Sequence, residues 1–131
     1  IVRRLVGSEM CIRDRGYTAS HQVLTRHGEL DSGAGAKAAQ RLEEAGIITN
    51  MNMLPGDTKA MTPSGLRLGV QELTRVGFSN DDMEEVASFY ARVLLRGEDP
   101  AAVRADVHAL KQQRQTIRYC FNEDERSGYP E

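Results

Sequence analysis

The sequence predicts an α/β domain in which helices cover a small sheet. Short β-branched or alternating segments are separated by longer segments with apolar residues at helical spacing, which gives the order strand, helix, strand, strand, helix, helix. The length of 131 residues allows one domain with a core of its own. Hydrophobic residues make up 40% of the chain and charged residues 27%, as is usual for a globular domain.

The first strand and the first helix are predicted between residues 18 and 46. Thr18–Thr25 contains an apolar stretch between polar residues, which is typical of a strand. Asp31 or Ser32 is expected to cap the next helix, and Gly46 is expected to end it in the left-handed conformation. The residues on the predicted buried face of this helix are small or apolar: Ala34, Ala38, Leu42 and Ala45.

Two more strands follow, with a turn between them. Ile47–Asn50 is short and β-branched and predicts the second strand. Leu54–Asp57 has the composition of a turn, and Gly65–Gly69 alternates as a third strand. A connector is expected to follow through residues 74–77.

Two helices close the predicted fold. Ser79 or Asn80 is expected to cap the first, and Gly97 to end it. Asp99 before Pro100 is a typical start for the second. The predicted buried residues are Met83, Val86, Tyr90, Val93 and Leu94 in the first helix, and Val103, Val107, Leu110 and Ile117 in the second.

The two ends of the chain are interpreted separately. Residues 1–15 are predicted to be a non-native or disordered extension, because charges interrupt their apolar positions and LVGSEMCIRDR resembles translated sequencing-adapter sequence. A short amphipathic helix is the alternative interpretation. The domain is therefore expected over residues 16–131, with a polar, frayed tail from Asn122 onward.

Charge and composition argue against several function classes. The net charge is −2, and without residues 1–15 it is −4, so nucleic-acid binding is not expected. No apolar run approaches the roughly 20 residues of a membrane span. Cys11 and Cys120 form no CxxC pair, and with the scattered histidines they offer no metal-ligand spacing. A reduced, cytoplasmic protein is the simplest interpretation.

Three short motifs carry a family resemblance. Residues 16–21 (GYTASH), residues 45–57 (AGIITNMNMLPGD) and residues 63–78 (PSGLRLGVQELTRVGF) resemble, in this order, the serine hydroxymethyltransferase pattern. The resemblance implies the C-terminal small domain of a fold-type I enzyme that uses pyridoxal phosphate. It also implies a homodimer and a missing large domain that holds most of the cofactor contacts.

The resemblance assigns roles to individual residues. Arg67 would hold the carboxylate of the amino-acid substrate, with Ser64 as a second substrate-binding residue, and Asn52 would contact tetrahydrofolate. No catalytic residue is expected in this chain. The alternatives are an arginine on a strand edge, solvated or paired with Glu72, and a turn asparagine bonded to its own backbone.

The implied function is that of a fragment of a hydroxymethyltransferase acting on β-hydroxy amino acids, and inactive alone. Ala19-Ser20 and Gln71-Glu72 depart from the family pattern and put folate use in question. A threonine transaldolase-type enzyme without folate is therefore an alternative. A stand-alone α/β interaction domain is the alternative from another class, and the sequence upstream of Gly16 would distinguish it from an enzyme.

Overall fold

The computed structural model describes residues 21–114 and 116–118, and predictions for the remaining residues lie outside this range. The α/β class is confirmed. The elements are strands β1 (Gln22–Arg26), β2 (Asn50–Asn52) and β3 (Gly65–Gly69), and helices α1 (Ala34–Glu44), α2 (Gln71–Arg75), α3 (Asn80–Leu94) and α4 (Pro100–Gln113).

The sheet consists of three antiparallel strands in the order β1-β3-β2, so β3 lies in the middle. Leu24 of β1 and Asn50 of β2 both pair with Arg67 of β3. Directly paired residues project their side chains to the same face of a sheet. We call the face that carries these three side chains the open face. The opposite, core face carries Thr25 and Leu66, which are both buried.

The helices form a layer against the core face. Helix α1 packs on β3, and α3 and α4 pack on α1 and on each other. Leu66 in the sheet, Leu42 in α1 and Val93 in α3 have no exposed surface, and burial of such a side chain contributes about 1.5–3 kcal/mol. The buried core consists of Ala38, Leu42, Ala45, Leu66, Phe78, Phe89, Tyr90, Val93, Val103 and Leu110.

Helix α1 and strand β3 approach each other through two glycines. A Cβ atom on Gly35 would collide with the backbone of Gly65, so the first turn of α1 lies directly against the start of β3. The Gly35 amide N–H donates to the Pro63 carbonyl at 3.1 Å. A position without a side chain is required here because backbone cannot move aside as a side-chain tip can.

The start of α1 differs from the prediction. Neither Asp31 nor Ser32 is its N-cap; that position is Gly33, with φ of 70°. The Ser32 hydroxyl nevertheless accepts from the Ala34 amide at 3.3 Å, so Ser32 takes one donor of the first turn. The Gly33 amide N–H donates to the Thr62 carbonyl at 3.1 Å. Backbone carbonyls of the loop before β3 thus accept from Gly33 and Gly35 at this end of the helix.

The second strand lies later in the chain than predicted, at Asn50–Asn52 instead of Ile47–Asn50. Gly46 has φ of 79°, as expected for the residue that ends α1. The Ile47 amide N–H donates to the Leu42 carbonyl at 2.8 Å, which completes a Schellman motif. Ile47 therefore belongs to the helix end, and the strand begins only after it.

The connector predicted over residues 74–77 is partly helical, because α2 extends to Arg75. Gly77 has φ of 93°, and the Phe78 amide N–H donates to the Leu73 carbonyl at 3.0 Å, which is again a Schellman ending. Arg75 also forms an ion pair with Glu72 at 2.7 Å.

The caps of the last two helices are confirmed, but the predicted extent of α4 is wrong. Ser79 and Asp82 form a capping box at the start of α3, and Asp99 caps α4. Arg114, which follows α4, leaves the helical conformation and donates two hydrogen bonds to Asp82, at 2.9 and 2.8 Å. Ile117 therefore lies beyond the helix and is 46% exposed.

Because Gly35 lies directly against the backbone of Gly65, one added methyl group at Gly35 should strongly reduce stability. We expect Gly35→Ala to lower the free energy of unfolding by about 2–3 kcal/mol, because the added Cβ would meet backbone atoms. Gly69→Ala is the matched control, since its Cβ would meet only the end of the Gln71 side chain. Urea unfolding of the two variants measures the difference, and equal losses would contradict the steric argument.

Candidate substrate-binding face

Arg67 lies in the middle of β3 and its side chain is exposed on the open face. Within residues 21–114 and 116–118, the structure shows no hydrogen bond or ion pair of this side chain with the protein. Two parts of the alternative interpretation are wrong, because β3 is the central strand and Glu72 is bound to Arg75. Its third part, a solvated arginine, agrees with the exposure of Arg67 in this structure. The guanidinium donors thus face the solvent.

The surroundings of Arg67 differ at its two ends. Toward the start of β3, the Leu54 side chain covers Gly65 on the open face and is only 4% exposed. Toward the end of β3, Gly69 places no side chain beside the arginine. Asn50, directly opposite on β2, is exposed and offers amide donors and an acceptor. The arginine thus has one polar neighbour, Asn50, and apolar neighbours in Leu24 on β1 and in Leu54 at one end.

Ser64 lies close to Arg67 in sequence but does not share its surface. The Ser64 side chain is fully buried, and its hydroxyl donates to Asp57 Oδ2 at 2.8 Å. The geometry does not favour the predicted contact between Ser64 and the substrate, because its hydroxyl is already used inside the protein. It favours a role in holding the start of β3.

Asp57 gathers the backbone around the turn before β3. Its Oδ1 accepts from the Asp31 amide at 2.7 Å, and its Oδ2 accepts from the amides of Leu54 at 2.8 Å and Ser64 at 3.0 Å. Partial desolvation alone would raise the pKa of this carboxyl group. The backbone N–H groups and the Ser64 hydroxyl outweigh it and hold the pKa of Asp57 well below its usual range.

The neighbouring Asp31 organises the other side of the same turn. Its carboxylate accepts from the Thr58 hydroxyl and amide, both at 2.7 Å, and from the Lys59 amide at 2.8 Å. The Thr58 hydroxyl, followed by the Lys59 amide, lowers the pKa of Asp31. Asp31 adopts φ of 57°, a left-handed conformation that aspartate tolerates better than most residues.

Asn52 lies on the same face of the sheet as Arg67, paired with Gly65. Its side-chain amide donates to the carbonyl of the next residue, Met53, at 2.6 Å. This is the local backbone bond of the alternative interpretation. The contact of Asn52 with folate remains a prediction.

A buried polar cluster, which the sequence did not indicate, lies between β1 and α3. His27 Nε2 lies 2.9 Å from Thr25 Oγ1 and 2.7 Å from the Tyr90 hydroxyl, and the two hydroxyls lie 2.9 Å apart. Burial lowers the pKa of His27 and raises the pKa of Tyr90. The His27 amide donates to the Ser64 carbonyl at 3.0 Å, which ties this cluster to the start of β3.

Sequence reasoning missed three residues of this region. Asp57 was interpreted only as a turn residue, although an aspartate after Pro-Gly can bind backbone amides. Asn50 shares the alternation of Asn52, which places both on one face. His27 gave no signal, because its partner Tyr90 lies in a distant helix.

The described residues contain no group of three or more His, Cys, Asp or Glu side chains placed to hold a metal ion. None of their helices is long and apolar enough to cross a membrane.

Comparison with known proteins decides the family. Residues 10–90 match the family model of serine hydroxymethyltransferase. The chain belongs to the serine hydroxymethyltransferase family. The chain is 50% identical over 118 residues to serine hydroxymethyltransferase of Thermococcus kodakarensis, a match that covers 88% of the chain and 27% of the relative. The enzyme of Pyrobaculum neutrophilum is 51% identical over 109 residues, covering 83% and 25% respectively.

This serine hydroxymethyltransferase-family chain spans about a quarter of the length of the curated relatives that it matches. Its fold also matches the crystal structure of L-threonine transaldolase from Pseudomonas fluorescens in the internal aldimine state, with a TM-score of 0.68 and 28% identity. That match covers 84% of this chain and 26% of the transaldolase. The predicted resemblance to the small domain of a fold-type I enzyme is confirmed.

The partly buried His27 predicts that the stability of this chain depends on pH. Because burial lowers the pKa of His27 in the folded chain, the unfolded chain binds the proton more readily. The free energy of unfolding should be highest above the ordinary histidine pKa of about 6.5 and should fall below it. Urea unfolding of the 131-residue chain between about pH 7.5 and about pH 5 measures this change.

The His27→Leu variant tests whether His27 causes this pH dependence. It should lose the part of the pH dependence that lies just below neutrality, whereas His21→Leu, at an exposed position, should keep it. A pH dependence that is the same in wild type and His27→Leu would contradict the assignment.

Proposed function

We propose that this chain supplies the substrate-carboxylate arginine of a pyridoxal-phosphate enzyme of the hydroxymethyltransferase type, which acts on β-hydroxy amino acids. Family membership supports the reaction class. The observation that carries the assignment is Arg67 itself, exposed in the middle of the central strand and without a protein partner among the described residues. Arg67 is the proposed ligand of the substrate carboxylate.

The chemistry of a guanidinium suits this role. Its planar fork binds a carboxylate through two parallel hydrogen bonds, which fixes direction as well as position. A hydrogen bond to a charged group contributes about 1.5–3 kcal/mol net. The strand holds the arginine backbone in a sheet paired on both sides, so that little motion is available to its base. Because its backbone is held rigidly, Arg67 can fix the orientation of the bound carboxylate.

The described residues include no lysine that is suited to attach the cofactor. The chain has only three lysines, Lys37, Lys59 and Lys111, and all of them are exposed. A lysine that attaches to pyridoxal phosphate requires a desolvated environment in which its amine can be neutral. We therefore propose that the rest of the enzyme attaches the cofactor, and that the isolated chain is inactive.

The contribution of this chain is orientation. When bound, pyridoxal phosphate supplies an electron sink for the cleavage of a bond at the substrate Cα. Arg67 would hold the carboxylate on one side of that carbon and so determine which of its other bonds faces the sink. Asn50, opposite Arg67, can hydrogen-bond to the second carboxylate oxygen or to a bridging water.

Substitution of Arg67 tests the proposal in the full-length enzyme that contains this chain. Arg67→Ala should raise KM for serine by about 10- to 100-fold, since one charged interaction is lost. The amount of bound pyridoxal phosphate, measured by absorbance, should be unchanged. Arg26→Ala is the matched control, since Arg26 is also exposed and projects to the open face from the neighbouring strand. Loss of the cofactor, or an unchanged KM, would contradict the role of Arg67.

A transaldolase-type activity without folate is the second candidate. The structural match to L-threonine transaldolase favours it, and so does the engagement of Asn52 with the Met53 carbonyl. The relatives at about 50% identity are serine hydroxymethyltransferases and favour the first.

Assay of the full-length enzyme with and without tetrahydrofolate distinguishes the two candidates. Cleavage of serine that depends on tetrahydrofolate supports a hydroxymethyltransferase. Exchange of aldehydes with threonine that does not require folate supports a transaldolase. For a hydroxymethyltransferase, we expect Asn52→Ala to raise KM for tetrahydrofolate by about 10-fold, as a lost polar contact would.

Three further properties belong to the proposal because the family resemblance implies them. They are a homodimer, a cytoplasmic location and a large domain in the same chain that completes the site. Relatives about four times as long as the matched segment are in keeping with such a domain. Family membership also favours an enzyme over a stand-alone interaction domain.

A further inference from the structure

The loop between β2 and β3 converges on one carboxylate. Asp57 accepts four hydrogen bonds, from the amides of Asp31, Leu54 and Ser64 and from the Ser64 hydroxyl, at 2.7 to 3.0 Å. The described residues provide no cationic side chain as an ion-pair partner for it. Its acceptor capacity is thus used mainly by the loop itself: Oδ2 accepts three of these hydrogen bonds and Oδ1 accepts one.

Two of those four bonds lie at the residue that enters β3. Ser64 directly precedes the strand and is held by Asp57 on one side, while its carbonyl accepts from the His27 amide on the other. Arg67 follows three residues later in an extended strand. The point at which the strand begins is thus fixed from both sides, close to Arg67.

The beginning of β3 determines where Arg67 projects. Side chains alternate between faces along a strand, so a slip of one residue would turn Arg67 to the core face and Leu66 to the open face. A smaller displacement would keep the face but move the guanidinium away from its site. Such a displacement would lengthen the contact between the guanidinium and the substrate carboxylate and so weaken substrate binding.

We infer that Asp57 is a positioning residue for the substrate-carboxylate arginine: it fixes Ser64 and the start of β3, and thereby places the Arg67 guanidinium. This inference rests on the proposed function of Arg67. It also gives Ser64 a role that agrees with its complete burial, because Ser64 acts through Asp57 and the strand without touching substrate.

The experiment compares Asp57→Asn and Asp31→Asn in the full-length enzyme. Asp31 is the matched control: its carboxylate accepts three hydrogen bonds in the same turn, from Thr58 and Lys59, and none from Ser64. Asp57→Asn replaces an acceptor oxygen with an amide donor. It should raise KM for serine by about 10-fold while kcat changes less than about threefold. Asp31→Asn should change KM by less than about twofold.

A double-mutant cycle separates positioning from general stability. If Asp57 acts through Arg67, Asp57→Asn should have no further effect on KM in an Arg67→Ala background. Equal and additive effects in both backgrounds, or an unchanged KM in Asp57→Asn, would overturn the inference.

A milder variant keeps the inference testable if Asp57→Asn does not fold. Ser64→Ala removes one of the four hydrogen bonds and should raise KM by about threefold, and an unchanged KM would overturn the inference. If Arg67→Ala itself leaves KM unchanged, the proposed function fails. If Arg67→Ala raises KM and neither Asp57→Asn nor Ser64→Ala does, only the positioning inference fails.

Discussion

The hydrogen-bonded carboxylate of Asp57 is the contact on which the candidate site depends. It joins the turn after β2, the loop before α1 and the first residue before β3 through its four bonds. Buried or partly buried backbone N–H groups need partners, and this carboxylate provides several of them at one point. The loop can therefore be irregular in conformation and still hold β3 in one place.

The layer of helices completes this constraint from the other side of the sheet. Gly35 allows α1 to lie against the backbone at Gly65, and loop carbonyls before β3 accept from the first amides of α1. Leu66 faces the helices and is fully buried, whereas Arg67 beside it faces solvent. The same strand thus contributes one side chain to the core and the next to the open face. A slip that turned Arg67 inward would expose Leu66, and the free-energy cost of that exposure keeps Arg67 on the open face.

Local patterns predicted the class and most elements, and the family resemblance supplied the candidate arginine. Helix ends at Gly46 and Ser79 follow from short-range rules, and they were predicted correctly. The start of α1 was not, because two donors at this end are taken by carbonyls that come about 30 residues later. The partners of Asp57 and His27 were hidden for the same reason. Tertiary contacts decide which polar groups meet, and periodicity carries no information about them.

The placement of Arg67 is the central claim, and a crystal structure of the full-length enzyme with a bound amino acid tests it most directly. The account predicts the substrate carboxylate within about 3 Å of two Arg67 guanidinium nitrogens, with the bonds from Asp57 to Ser64 intact. A carboxylate bound by other residues, with the Arg67 side chain still in solvent, would contradict it.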